Sequence, residues 1–202
     1  RAVWRTTALG VYEAYVNGAA MTEQALKPGY TNTRRRRLAY DWDVTKLMRT
    51  GAGERNVFAA RVTSGWWRDQ IVGWGRRQAN SAFQATLRLE YADGSSEEIV
   101  TDGSWKAAYA GKVTHAAIYY GETYDNRVKE DFLTDAAAFA DWRNAVPCDE
   151  FKGKVASDPS SGICRREDLA MKPAEAYVWK GATGAEGGRE FGRVVRLRTF
   201  KD

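Results

Sequence analysis

Hydrophobic and polar residues alternate in short runs over most of the chain. Residues 9–16 alternate and stop at Asn17-Gly18, a dipeptide that favours a tight β-hairpin turn. Residues 91–94, Tyr-Ala-Asp-Gly, mark a second hairpin. Further runs of this kind predict strands around 38–45, 56–63, 82–91, 97–101, 105–109 and 113–120. Short strands at this spacing are typical of an all-β protein built as an antiparallel sandwich or barrel.

Helical patterns occur in two segments. Residues 131–141 predict one short helix, and another short helix is expected over 44–48. The stretch 147–173 has the composition of a loop, with Asp-Pro-Ser-Ser-Gly at its centre. The pattern predicts that strands resume at 174–180 and 193–200.

This change of pattern predicts a domain boundary near residue 148. We expect residues 1–148 to form a β-sandwich domain. Residues 149–202 are then a linker and the first strands of a following, incomplete β-domain. The chain has 202 residues and begins with neither Met nor a signal-peptide pattern, so we expect it to be an excised piece of a longer protein.

The composition, 44% hydrophobic and 28% charged, allows a sizeable core. No stretch approaches the roughly 20 apolar residues of a membrane-spanning helix, so no membrane span is expected. The net charge is +5, and much of it comes from the run Arg34 to Arg37. We interpret this run as a solvated edge and not as a nucleic-acid interface, because no nucleic-acid-binding motif accompanies it.

The chain has two cysteines, Cys148 and Cys164. They have neither the Cys-x-x-Cys spacing nor the histidine partners of a zinc site. A disulfide between them would suit an exported protein. Two free thiols are equally compatible with the sequence, which leaves both states open.

The sequence offers little for catalysis. His115, the single histidine, lies in a predicted strand, and no Gly-x-Ser-x-Gly motif accompanies it. Glu122 and Asp125 lie in the densest group of carboxylates, but side chains three apart on a strand point to opposite faces, which is poor geometry for a glycosidase pair. We interpret them as partners of Arg127 or as turn caps, with a ligand or metal contact as the alternative.

Tryptophan is unusually frequent, with eight in the chain. Trp66, Trp67 and Trp74 share a glycine-punctuated segment that suits a loop or an irregular strand better than a core strand. Aromatic faces can stack on the apolar faces of sugar rings while nearby Asn, Asp and Arg side chains hydrogen-bond the hydroxyls, which is the general design of a small-molecule site. The alternative is that these tryptophans belong to the core.

Five segments share an ordered pattern with one known family. They are the run at 8–18, Leu-Lys-Pro-Gly-Tyr-Thr-Asn at 26–32, Gly-Trp-Trp-Arg at 65–68, Tyr-Ala-Asp-Gly-Ser at 91–95 and Gly-Glu-Thr-Tyr-Asp-Asn-Arg at 121–127. Together they resemble the N-terminal accessory domain of bacterial α-L-rhamnosidases, from about residue 8 to 142. In the family's Pro-Gly-Trp-Thr-Asp stretch, this chain has Tyr30 for Trp and Asn32 for Asp.

The resemblance implies a jelly-roll, galactose-binding-like antiparallel β-sandwich that takes part in substrate recognition. It also implies that the carboxylates that hydrolyse the rhamnosyl bond lie in an (α/α) barrel outside this chain, so no catalytic residue is expected here. Some modules of this type hold rhamnose through bound calcium. Calcium is therefore the one candidate cofactor, with Asn32 and Asn80 as the candidate metal ligands.

We therefore expect a non-catalytic carbohydrate-recognition module of an α-L-rhamnosidase-like glycoside hydrolase, which binds rhamnose-containing glycans beside the catalytic domain of the same polypeptide. The alternative is a purely structural β-sandwich that supports that domain. We expect the full-length protein in the periplasm or outside the cell. Asn32, Asn80 and the segment 66–74 are expected to form one rim of the sandwich. The full set of carbohydrate-binding candidates is Asn32, Trp66, Trp67, Arg68, Trp74, Asn80, Glu122 and Asp125.

Overall fold

The structure is a computed structural model that describes residues 1–32, 35–68, 80–119, 121–158, 162–180 and 193–199. The chain divides into two compact units, Arg1–Arg165 and Arg166–Asp202. The described strands of the first unit are β1 (Ala2–Leu9), β2 (Val11–Val16), β3 (Ala19–Ala20), β4 (Gln24–Ala25), β5 (Arg36–Asp43), β6 (Phe58–Thr63), β7 (Ala82–Glu90), β8 (Ser96–Val100), β9 (Lys106–Ala107), β10 (Val113–Ala117), β11 (Gly121–Tyr124), β12 (Arg143–Asn144), β13 (Lys154–Ser157) and β14 (Ile163–Cys164).

The first unit is built around two sheets. The larger has the order β13-β5-β1-β7-β8, and the smaller has the order β3-β2-β6. Neighbouring strands are antiparallel in both, apart from β13, which runs parallel to β5. Short two-stranded pairs β4–β14, β9–β12 and β10–β11 complete the described part of the unit. The predicted antiparallel β-sandwich is confirmed, and so are the hairpins at Asn17-Gly18 and at 91–94.

Gly10 lies at the point where the chain leaves the larger sheet and enters the smaller one. The sequence pattern predicted one strand over 9–16, whereas the structure has β1 ending at Leu9 and β2 starting at Val11. Gly10 lies between them with φ +138°, and a Cβ there would overlap the carbonyl oxygen of Thr63. Glycine alone fits such a backbone without steric cost, so the chain can turn sharply and change sheets.

The core lies between the two sheets. Trp4 of β1 is 1% exposed and makes edge-to-face contacts with Phe58 of β6, at 5.0 Å between ring centroids, and with Phe83 of β7, at 6.0 Å. Val16 and Val44 are fully buried in the same cluster. Alternating inward side chains of β1 and β2 supply this layer, as the period of two along a strand requires.

Helical structure in the described residues is limited to short turns. The one α-helical turn is α1 (Gly65–Arg68), and the 3₁₀ turns are Thr45–Leu47, Asp131–Leu133, Ala136–Ala138 and Glu167–Leu169. The short helix expected over 44–48 corresponds to the first of these 3₁₀ turns.

The helix predicted over 131–141 is wrong. Two separate 3₁₀ turns occupy this segment, and Asp135 between them has an extended backbone. Its side chain accepts a hydrogen bond from the Ala137 N–H at 2.9 Å. Aspartate side chains compete in this way with the helical hydrogen bonds, which interrupts the helix. Phe132, Phe139 and Trp142 then pack edge-to-face against one another.

The first unit extends past the boundary expected near residue 148. Residues 154–157, placed by the sequence pattern in a linker, form β13 and pair with β5 over four positions. Strand β14 pairs antiparallel with β4 over two positions in a separate two-stranded sheet. The segment after 148 therefore carries an edge strand of the larger sheet. In the second unit, β15 (Glu175–Lys180) and β16 (Arg193–Thr199) form an antiparallel pair, where strands were predicted.

Candidate functional site

Helix α1 presents two consecutive tryptophans in different ways. The backbone N–H groups of Trp67 and Arg68 both donate to the Ser64 carbonyl at 3.2 Å, which closes the single turn. Gly65 has φ +48° and packs against Val11, where a side chain would clash. The segment was expected to be a loop or an irregular strand, and for residues 65–68 that expectation is wrong. The turn leaves the indole of Trp66 partly exposed and points that of Trp67 into the protein.

Trp67 is a core residue of the sandwich edge. It is 2% exposed and packs with Leu9, Ala82 and Phe151. Its indole Nε1 donates to the carbonyl oxygen of Asn80 at 2.9 Å. Because both ring faces are covered, Trp67 cannot stack on a sugar, and the candidate role given to it from the sequence is not supported.

The indole of Trp67 covers a buried arginine. Arg37 is 4% exposed, and its guanidinium lies 4.2 Å from the Trp67 ring centroid and 5.3 Å from that of Phe151. Such cation–π contacts favour a guanidinium between aromatic faces. The interpretation of the run Arg34 to Arg37 as a solvated edge is therefore wrong for Arg37, while Arg35 and Arg36 are exposed. Arg34 lies outside the described residues.

Trp66 and Tyr30 form an accessible aromatic pair. Their ring centroids are 6.3 Å apart with planes at 63°, Tyr30 is 68% exposed, and Trp66 is half-buried. Asn32, two residues after Tyr30, and Arg68, two residues after Trp66, are both exposed. This arrangement combines an aromatic surface with polar side chains. Trp74, the other tryptophan of the predicted cluster, lies outside the described residues.

Asn80 contacts α1 through Trp67. Its backbone N–H and its Nδ2 donate to the same oxygen of Glu150, at 2.8 and 2.7 Å, while its carbonyl accepts from Trp67. The structure therefore joins Tyr30 to Trp66 and Asn80 to Trp67 at one helical turn. A shared rim and a calcium site on Asn32 and Asn80 stay predictions.

Glu122 and Asp125 have different surroundings. Glu122 lies on β11 opposite Ala116 and is exposed. Asp125 forms a two-point ion pair with Arg127, at 2.9 and 2.7 Å, and also accepts the Arg127 backbone N–H at 3.0 Å. These bonds hold the pKa of the Asp125 carboxyl below its ordinary value. The interpretation of Asp125 as a partner of Arg127 and a turn cap is thus confirmed.

A cavity of about 310 Å³ adjoins Tyr30 and involves residues that the sequence did not single out. Its polar lining consists of Lys27, Tyr40 and Asp158, and Leu26, Leu38 and Ile163 supply apolar walls. Tyr40 donates its hydroxyl to Asp158 at 2.6 Å or to the Pro28 carbonyl at 2.9 Å. Burial and the bond to Asp158 raise the pKa of Tyr40. The sequence offered only weak signals for this cavity, because Lys27 is merely a lysine before a proline and Asp158 an aspartate in a predicted loop.

Other site types have little support in the described part of the chain. Among those residues, no three His, Cys, Asp or Glu side chains lie close enough together to hold a metal ion. Cys148 and Cys164 are exposed free thiols, which settles the alternative left open by the sequence. None of the described helices is long and apolar enough to cross a membrane.

The architecture defines an antiparallel β-sandwich domain. The family profile described as "Alpha-L-rhamnosidase N-terminal domain" matches residues 1–167, so the chain belongs to this family. The resemblance noted from five sequence segments is thereby confirmed.

Several relatives are named alpha-L-rhamnosidase. The chain is 41% identical over 129 residues to one from Streptomyces avermitilis, covering 63% of this chain and 12% of that enzyme. It is 32% identical over 177 residues to one from Formosa agariphila, covering 85% of this chain and 19% of that enzyme. The chain therefore spans less than a fifth of the length of these relatives.

Solved structures show the same architecture. The S. avermitilis alpha-L-rhamnosidase complexed with L-rhamnose superposes with a TM-score of 0.68 at 34% identity, covering 78% of this chain and 15% of that one. An α-L-rhamnosidase structure from Dictyoglumus thermophilum superposes with a TM-score of 0.67 at 33% identity, covering 78% and 17% respectively. Both matches support the β-sandwich assignment.

Proposed function

We propose that this chain is a non-catalytic carbohydrate-recognition module of an α-L-rhamnosidase. It binds rhamnose-containing glycans and positions them for a catalytic domain elsewhere in the same polypeptide. The full-length enzyme works in the periplasm or outside the cell, where such glycans are met.

The observation that carries the proposal is the Tyr30–Trp66 pair. An exposed phenol ring beside a half-buried indole gives an apolar platform, with Asn32 and Arg68 exposed nearby. A platform with a few placed polar groups is the general design of a small-molecule site. One solved relative is described as complexed with L-rhamnose, which supports the choice of sugar.

The carboxylates support a non-catalytic role. An inverting glycosidase needs a general acid with a raised pKa opposite a general base. At Asp43, Asp102 and Asp125 hydrogen bonds lower the pKa of the carboxyl group, and at Asp125 it is Arg127 that stabilises the charged form. A carboxyl group held ionised in this way is a poor proton donor to a leaving group.

Calorimetry tests the proposal directly. The 202-residue chain is titrated with L-rhamnose in calcium and again in EDTA. We expect binding that Trp66→Ala abolishes, because the substitution removes the stacking face. Tyr109→Ala serves as the matched control, since Tyr109 is a fully exposed aromatic outside the proposed surface. Loss of binding in EDTA would show that calcium takes part and would put Asn32→Ala and Asn80→Ala to the test as ligand variants, whereas binding that persists in EDTA would show recognition without a metal.

A purely structural role is the second candidate, and the burial of Trp67 favours it. This tryptophan was expected to serve sugar binding, yet it stabilises the edge of the sandwich. If the chain shows no heat with millimolar L-rhamnose in either buffer, the structural role replaces the proposed one.

A further inference from the structure

Tyr30 projects from a turn that hydrogen bonds hold on both sides. The Tyr12 backbone N–H donates to the Lys27 carbonyl at 2.8 Å, three residues before Tyr30. On the other side, the Thr31 hydroxyl donates to the Arg36 carbonyl at 2.6 Å, and Thr31 itself is 7% exposed. The backbone on either side of Tyr30 is therefore anchored to the sandwich, although the Tyr30 side chain is exposed.

Trp66 is anchored by the residue that follows it. Trp67 is 2% exposed and ties α1 to the edge of the sandwich through its hydrogen bond to the Asn80 carbonyl at 2.9 Å. Because Trp66 belongs to the same single turn, its backbone is fixed by that buried neighbour. Two rings that stand on anchored backbone are pre-organised, so a ligand that binds them pays little for ordering the site.

Tyr30 and Trp66 are inclined to each other and form an aromatic corner. Their ring planes lie at 63°, with 6.3 Å between the ring centroids. Tyr30 is 68% exposed and Trp66 is half-buried, so a ligand can reach both rings. A sugar that stacks its apolar face on Trp66 therefore turns one edge of its ring toward Tyr30.

The edges of a pyranose ring differ in what they offer to an aromatic wall. Most of them carry hydroxyl groups, which lose water against an apolar ring without gaining an equivalent hydrogen bond. L-Rhamnose is a 6-deoxy sugar, so its edge at C5 carries a methyl group in place of a hydroxymethyl group. Removing a methyl group from water is favourable, and this edge is therefore the one that suits contact with Tyr30.

We propose that Tyr30 is the residue that selects 6-deoxy sugars, through contact with the C6 methyl group of the rhamnose unit that stacks on Trp66. This inference rests on the proposed carbohydrate-binding function and adds the specificity of the same site. In this arrangement Trp66 supplies the stacking face on which binding depends. Tyr30 supplies the discrimination between a methyl and a hydroxymethyl group.

Sugars that differ only at C5 test this assignment. L-Mannose has the ring hydroxyls of L-rhamnose and a hydroxymethyl group at C5, whereas L-lyxose has a hydrogen there. The 202-residue chain is titrated by calorimetry with each of these sugars. We expect L-rhamnose to bind about fivefold more tightly than L-lyxose, which is the factor that burial of one methyl group supplies. The preference over L-mannose should be at least as large, because its extra hydroxyl loses water against the Tyr30 ring.

Variants at Tyr30 identify the residue responsible. Tyr30→Ala removes the wall and should bring the affinities for the three sugars together, whereas Tyr30→Phe keeps the ring and should retain the preference. Tyr109→Ala, the same truncation at a fully exposed tyrosine outside the aromatic corner, should also retain it. Because Tyr30 is 68% exposed, its truncation leaves the core intact, and an unchanged far-UV circular dichroism spectrum checks this.

The outcomes separate the specificity from the proposed function. Binding of L-rhamnose and L-mannose with equal affinity would overturn the role of Tyr30 and leave the proposed function standing. A preference for L-rhamnose that survives Tyr30→Ala would also overturn that role. Absence of binding to L-rhamnose would overturn the proposed function together with its specificity.

Discussion

Arg61 of β6 and Glu130 form a two-point ion pair, which connects the 125–135 segment to the smaller sheet. Arg61 Nη2 donates to Glu130 Oε1 at 2.7 Å and to Oε2 at 2.6 Å, and both side chains are mostly buried. The Lys112 N–H donates to the same carboxylate at 3.0 Å, and Arg61 Nη1 reaches Glu13 at 2.6 Å. One carboxylate thus joins three separate segments of the chain.

Glu130→Gln should destabilise the first unit by about 1–3 kcal/mol, because the mostly buried Arg61 guanidinium then faces a neutral amide in place of a carboxylate. Urea unfolding followed by tryptophan fluorescence measures this difference. Glu54→Gln, at an exposed position, should change the free energy of unfolding by less than about 0.5 kcal/mol. Equal effects of the two substitutions would contradict a structural role of the ion pair.

The same pair predicts a dependence on pH. Burial acts to raise the pKa of Glu130, but the Lys112 N–H and the Arg61 guanidinium outweigh it, so the pKa is lowered from its ordinary value of 4.5. A lowered pKa stabilises the folded state above the ordinary value, and this contribution is lost as the pH falls through the folded-state pKa. The difference in unfolding free energy between wild type and Glu130→Gln should therefore be constant from pH 7 to about 5 and shrink below about 4.5. A difference that grows on acidification would contradict this.

The strands could be predicted from the sequence because their signals are local. Alternation of period two and the turn residues at Asn17-Gly18 and 91–94 depend on neighbouring residues alone. The edge strand β13 carries no such signal, because its pairing with β5 joins positions more than a hundred residues apart. The helix predicted over 131–141 was wrong because a local Asp135 hydrogen bond outweighed the helical pattern.

The candidate site could be predicted only in part, and for the same reason. A list of aromatic and polar residues does not say which tryptophan is buried, since Trp66 and Trp67 are adjacent and the turn of α1 decides between them. The cavity was missed altogether. Its Tyr40–Asp158 hydrogen bond joins residues 118 positions apart, and neither residue belongs to a recognisable motif.

Thr6 tests the polar part of the core. Its hydroxyl lies 2.7 Å from the Tyr12 hydroxyl and accepts from Trp42 Nε1 at 3.0 Å, and Thr6 itself is 1% exposed. Thr6→Val keeps the shape but removes the hydroxyl, so we expect a loss of about 1–3 kcal/mol from unpaired buried groups. Thr6→Ser retains the hydroxyl and should cost less. Equal stabilities of Thr6→Val and wild type in thermal unfolding would show that the two hydrogen bonds contribute nothing.

Trp66 and Trp67 provide the sharpest comparison, since they are adjacent in the sequence and differ in burial. Trp67→Ala removes a fully buried indole, its bond to Asn80 and the cover over Arg37, so it should destabilise the fold by about 3–5 kcal/mol. Trp66→Ala should cost less than Trp67→Ala, because part of the Trp66 side chain remains exposed in the folded protein.

Urea unfolding of both tryptophan variants, paired with calorimetric titration of L-rhamnose, separates the two roles. We expect Trp66→Ala to stay folded and lose the sugar. Trp67→Phe keeps an aromatic ring in the core, and we expect it to bind the sugar with lower stability. If Trp67→Phe stays folded and loses the sugar while Trp66→Ala keeps it, the accessible aromatic surface is assigned to the wrong residue.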